Sequence, residues 1–206
     1  MTRCPRRRFD ATRLAAAIGG SLLIVTKSAA AHSGTGLPGG FLSGFCHPFA
    51  GFDHLLAMVS VGLWGSVLGR PLLYALPVIF PVVMVGGAVM GMLGMRVPPV
   101  EIVIAVSVLV LGGCIALSLK APVWVASLIV ATFAVFHGYA HGKELPSAAD
   151  PIGYSSGFVF ATGSLHLVGI GIGSLTNFPG GMVAMRSIGA AIAVTGVWFF
   201  YKAVGA

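Results

Sequence analysis

Residues 46–58 read CHPFAGFDHLLAM and place two imidazoles, a carboxylate and a thiol inside a sequence otherwise apolar enough for a bilayer. An ionisable group at membrane depth is rare and usually faces a cavity, a partner or a pathway, so Asp53 and His54 are functional candidates from the outset. His47 and His54 are seven residues apart, about two helical turns, which predicts a shared face if the segment is helical. Asp53 sits beside that face. It can reach a ligand held between the imidazoles, or fix the tautomer of one of them from behind.

The surrounding composition decides the fold class. Of 206 residues, 57% are hydrophobic and only 8% charged, against about 25% charged in a soluble domain. The chain is predicted to be an all-α, polytopic integral membrane helix bundle. No phosphate-binding P-loop pattern occurs, and no polar stretch is long enough for a separate soluble domain. The formal charge of +7 does not mark a nucleic-acid binder, because it is concentrated at one end. Residues 1 to 31 hold Arg3, Arg6, Arg7, Arg8, Arg13 and Lys27 against the single acid Asp10, and the rest of the chain is close to balance.

That N-terminal stretch reads as a secretory signal: a basic region to Arg13, an apolar core over about 14 to 25 and a small-residue end, Ser28-Ala29-Ala30-Ala31. Its core is too short to span a bilayer comfortably. The expected division is a signal peptide over 1–31 and a six-helix transmembrane domain over 32–206, with His32 as the mature first residue. An uncleaved anchor is the alternative. Cys4 leaves with the signal, and Cys46 and Cys114 in different spans make no disulfide framework. Cys46 could be a soft ligand beside His47, although a small thiol is common core filler.

Six spans are expected. The first runs from Pro48, well suited to a first helical position, to Leu68, with 41 to 46 at the interface or continuing across a kink. The others cover about 71 to 95, 100 to 119, 122 to 141, 152 to 175 and 181 to 204. Pro77 and Pro81 should kink the second. Gly87-x-x-x-Gly91 and Gly169-x-x-x-Gly173 should let helices approach closely. A polar loop is expected from Gly142 to Pro151. Six spans leave both mature ends on one side, periplasmic if the signal is exported, and the loop charges barely test this orientation.

A second polar stretch, FHGYAHGKELP (136 to 146), closes the fourth span. His137 and His141 are four apart, one above the other on a helical face, and Glu144 lies over the same face. The start of the first span and the end of the fourth are on the same side, so both stretches can line one extracytoplasmic mouth. All six histidines then form a route from mouth (His32, His47, His141) to interior (His54, His137, His166), as expected for a divalent transition metal. Imidazole with carboxylate suits nickel, cobalt, copper or zinc rather than magnesium or calcium. Met58, Met84, Met90, Met92 and Met95 could suggest Cu(I), although methionine is more often filler in packed helices.

Other readings of these residues exist. His166 could be a packing histidine, Asp53 with His54 a structural ion pair, and His137 with His141 a cap on the helix dipole. Glu144 could be an exposed loop residue and His32 mere tail. An intramembrane metalloprotease needs Glu directly after the first histidine, where Gly138 stands. Haem held by His54 and His166 would leave the other polar groups at the mouth without a purpose.

The two stretches together resemble the HupE/UreJ family of small membrane proteins found with hydrogenase and urease accessory functions. HPFAGFDHLLAMVSVGLW (47 to 64) is similar to that family's first histidine motif, and FHGYAHGKELP to its second; Ala31-His32 and Leu165-His166 also look like it. The resemblance implies no enzyme but a permease importing Ni²⁺, or Co²⁺ in some members, across the bacterial cytoplasmic (inner) membrane for metalloenzyme maturation. Its metal-handling residues would be His47, Asp53, His54, His137, His141 and Glu144. The expected partners are the lipid bilayer, the divalent ion, a periplasmic or cytoplasmic metallochaperone and further copies of the chain, with no nucleic acid and no organic cofactor. The competing function is a membrane accessory protein that binds metal and hands it on without transporting it.

Overall fold

The computed structural model describes residues 40–97, 99–144 and 150–205, without the side chains of 144 and 151. The expected signal peptide and His32 lie outside the described residues. The described chain is helical: α1 (Phe41–Cys46), a 3-10 turn (His47–Phe49), α2 (Phe52–Leu68), α3 (Leu72–Met92), α4 (Val100–Ala116), α5 (Val123–Glu144), α6 (Pro151–Gly173), a second 3-10 turn (Ser174–Asn177) and α7 (Gly181–Gly205).

The polarity of the bundle suits lipid. Its outward surface carries Val78, Val82, Val85, Leu128, Val194 and Val197, all at least half exposed, while His137 and His166 are wholly buried. Helices that are apolar on their outer faces and bury histidines between them suit a bilayer. By length and composition four helices can cross a membrane: α3, α5, α6 with its 3-10 extension, and α7. The segments 41–49 and 52–68 form a fifth candidate if the pair counts as one span, bent by 87°. The apolar α4 is shorter, with 17 residues.

The first span differs from expectation in a way that matters. Pro48 does not open a long helix; it is the second residue of a 3-10 turn that begins at His47, and Ala50 N–H closes that turn on the His47 carbonyl. The chain then passes through extended Gly51, whose carbonyl accepts the first bond of α2 from Leu55 N–H. His47 and His54 therefore do not share a helical face. The short helix α1 instead lies against the start of α6. Gly44 and Gly157 make this approach possible, since a Cβ on Gly44 would fall 1.9 Å from the Tyr154 carbonyl oxygen and one on Gly157 2.0 Å from that of Phe41. Phe41 and Phe45 stack on each other and pack on Phe160.

Small residues bring the long helices together in pairs. Gly87 and Gly91 of α3 abut Val135 and Tyr139 of α5, and Gly138 and Gly142 of α5 abut Met84 and Ala88 in return. Gly62 of α2 faces the His166 carbonyl of α6, while Gly169 and Gly173 face Val59 and Ser66. Gly112 pairs α4 with Ala193 of α7. Both expected glycine pairs thus lie at contacts. The helix α3 runs on through Pro77 and Pro81. The fourth span continues to Glu144, so Gly142 and Lys143 are helical where a loop was expected.

The end of the bundle opposite the histidines is latched by main-chain acceptors. Trp64 Nε1 donates to the Leu119 carbonyl at 3.2 Å, Lys120 Nζ to the Val67 carbonyl, and Arg186 Nε to the Ala116 carbonyl at 2.9 Å. Gly69, at a φ of 79°, ends α2 in a conformation that costs other residues more.

Candidate functional site

Each histidine of the described chain reaches the site from a different constraint. His47 is held in the 3-10 turn by Pro48, His54 stands in the first turn of α2, and His137 and His141 occupy successive turns near the end of α5. The 87° bend that removes His47 from the α2 axis carries it across to α5, where His47 Nε2 lies 3.1 Å from His141 Nδ1. From there the rings meet one after another. The His141 and His54 centroids are 4.6 Å apart, and those of His54 and His137 are 5.1 Å apart. Beyond His137 comes Phe80 of α3 at 5.5 Å, and Phe80 also touches His166 of α6 at 5.3 Å.

The file ends inside the bundle. His47 and His54 are partly buried, His54 with its side chain 13% exposed, while His141 is 6% exposed and His137 and His166 are inaccessible, so His141 lies deeper and His54 nearer the surface than expected. Phe158 of α6 walls it on one side, 4.3 Å from His141 and 6.1 Å from His47. An apolar crevice between α3, α5 and α6, lined by Met84, Ala88, Gly138 and Tyr154 among others, reaches His141 from the flank.

Hydrogen bonding fixes which nitrogen each ring offers. The Asp53 carboxylate accepts from His54 Nδ1 at 2.9 Å and from the His54 main-chain N–H at 2.8 Å. His137 Nδ1 faces the Phe133 carbonyl at 2.9 Å, and His166 Nδ1 faces the Met58 carbonyl at 2.7 Å. Oxygen acceptors at Nδ1 require the proton to sit there, so the lone pair of all three rings is on Nε2. This is how proteins prepare imidazole as a ligand, with an oxygen behind the ring setting tautomer and orientation. Asp53 thus takes the supporting position behind His54.

The arrangement is a ladder and not a cage. Among the described residues no three His, Cys, Asp or Glu side chains are arranged to enclose a metal ion. The rings meet edge-on in pairs. Cys46 is exposed and Cys114 buried, both as free thiols. The backbone of Glu144 ends α5 one turn beyond His141, and its side chain lies outside the described residues.

The motif HPFAGFDH and the histidine pair of α5 thus meet at one end of one bundle. A family model described as "HupE / UreJ protein" matches residues 21–199. The chain belongs to the HupE/UreJ family. It is 45% identical over 167 residues to "Protein HupE" of Rhizobium leguminosarum bv. viciae, covering 81% of this chain and 87% of that protein. No solved structure matches it. For this HupE/UreJ member, the sequence had brought forward His47, Asp53, His54, His137, His141 and His166, and the structure joins them through ring and hydrogen-bond contacts. It adds Phe80 and Phe158, which no polar pattern marks; a lone aromatic between Pro77 and Pro81 was the available signal.

Proposed function

We propose that this chain is an inner-membrane permease that admits Ni²⁺, with Co²⁺ as the alternative cargo, through the ladder His47–His141–His54–His137. The observation that carries the reading is that four imidazoles from three separate segments pack in one file inside an apolar bundle. Neutral imidazole nitrogens supported by a carboxylate suit a borderline divalent ion. An ion must bind well enough to enter and weakly enough to leave, which a series of partial sites achieves better than a closed cage. Family membership supports an accessory role in hydrogenase or urease maturation, with a metallochaperone receiving the ion.

In this reading α4 supplies the sixth crossing, its 17 residues being at the short end of the usual range of about 17–25. The histidine end faces the periplasm, and residues 1–31 are an export signal. His32 and Glu144 then belong to the mouth.

Purified protein reconstituted in metal-free liposomes tests the function. Luminal Ni²⁺ should rise in a protein-dependent way and compete with Co²⁺. Metal bound to the protein with no luminal filling would replace the permease with a binding and delivery protein.

A further inference from the structure

Beyond Phe80 the ladder meets a second group of polar atoms that an entrance site does not need. His166 is wholly buried at mid-helix in α6, and its Nε2 has no hydrogen-bond partner. Thr162 stands one turn before it on the same helix, also wholly buried, and its Oγ1 is likewise unpartnered. On the other side of Phe80 the Nε2 of His137 is buried and bare in the same sense. Main-chain carbonyls at Nδ1 make both of these nitrogens lone-pair donors rather than N–H groups.

Packing alone does not account for this pattern. A buried acceptor without a donor is costly, and an apolar side chain of similar size would fill the same space without that cost. The α2–α6 contact that holds His166 is built for accuracy. Gly62 lets α2 approach so closely that a Cβ there would lie 2.1 Å from the His166 carbonyl oxygen. The resulting bond from His166 Nδ1 to the Met58 carbonyl aims Nε2 away from α2's backbone.

We propose that His166 Nε2 and Thr162 Oγ1 form an inner cation station, separate from the outer ladder. It would receive a divalent transition-metal ion from His137 past the Phe80 ring. The inference rests on the permease reading and deepens it. Its donors are neutral, whereas the outer site has Asp53 behind His54. The inner station therefore binds more weakly, as the later position on a transit route should. A hydroxyl and a neutral imidazole leave coordination positions for water.

The test is a Co²⁺ titration of the full chain in detergent, read by d–d absorption, beside uptake into liposomes. Wild type should show a tight phase and a weaker one. His166→Asn keeps a donor for the Met58 carbonyl and removes the Nε2 ligand. It should lose only the weaker phase and slow uptake at least tenfold. Thr162→Val, with no ring removed, should weaken that phase by about tenfold. His54→Ala should remove the tight phase and keep the weak one. A weak phase that survives His166→Asn at wild-type affinity, or is absent from wild type while the tight phase is present, overturns the inner station and leaves the outer ladder standing. Absence of the tight phase together with absence of uptake overturns the permease reading itself.

Discussion

His47 Nε2 and His141 Nδ1 lie 3.1 Å apart although 94 residues separate them in the chain. One must donate and the other accept, so the two rings share a proton arrangement and act as a unit. Groups coupled in this way do not contribute additively. Apparent affinity for Ni²⁺ should fall in both His47→Ala and His141→Ala. The double variant should be less impaired than the product of the two by about 1 kcal/mol or more of coupling. Strict additivity in uptake kinetics would mean that the contact has no part in handling the ion.

Gly51 carries a role that its backbone alone does not explain. A Cβ at this position would lie 3.0 Å from His54 Nδ1 and 3.1 Å from Asp53 Oδ1, against the hydrogen bond that orients His54. Gly51→Ala should therefore reduce uptake by tilting the ring while the protein remains folded and in the membrane. The expected loss is about tenfold, the lower range for disturbing a ligand's supporting partner. Wild-type uptake in Gly51→Ala would show that the Asp53–His54 geometry tolerates displacement.

Asp53 itself supports two things at once, the tautomer of His54 and negative charge beside the ladder. Asp53→Asn retains an oxygen that can accept from Nδ1 and removes the charge, whereas Asp53→Ala removes both. Uptake should therefore rank wild type, Asp53→Asn, Asp53→Ala, with the last abolished and all three proteins present in the membrane. Equal loss in the two variants would assign the whole effect to charge. Retention of uptake in both would return the pair to a structural role.

Much of this was readable from the residues. An apolar chain with its histidines gathered in two stretches implies a helix bundle with a polar interior, and helix counting brings those stretches to the same end. The small-residue pairs Gly87/Gly91 and Gly169/Gly173 marked contacts because close backbone approach leaves a compositional trace. A kink after residues 41–46 was one of two readings, but its sharpness and its place at 47–51 were not readable, because Pro48 suits the first turn of a long helix as well as that of a 3-10 turn. The direction in which His47 points depends on which one forms. Phe80 and Phe158 escaped notice for a different reason. An aromatic residue in an apolar helix is unremarkable until its ring is found against a histidine.

The adjacent residues Gly86 and Gly87 separate packing from propensity. A Cβ on Gly87 would lie 2.1 Å from the Val135 carbonyl oxygen, while one on Gly86 would meet nothing within 4 Å. Gly87→Ala must push α3 away from α5, the helix that carries His137 and His141. Overpacking of this kind costs about 1–3 kcal/mol. Thermal unfolding in detergent should show a clear drop for Gly87→Ala and an unchanged or slightly raised midpoint for Gly86→Ala, since alanine is the better helix former. Equal behaviour of the two would mean that the α3–α5 seam is loose.

Uptake should also depend on pH with a definite sign. In the proposed permease the ladder would bind through imidazole lone pairs, and a protonated imidazole has none, so metal and proton would compete for the same nitrogen. With no proton gradient imposed, initial Ni²⁺ uptake into liposomes should be lower at about pH 5.5 than at about pH 7.5. The loss should appear mainly as a higher apparent KM, because acid empties the binding site before it affects any later step. Raising Ni²⁺ at the lower pH should then restore much of the rate. A rate that rises on acidification under these conditions would mean that protonation drives the transport step, and would count against a cycle governed by competition at the imidazoles.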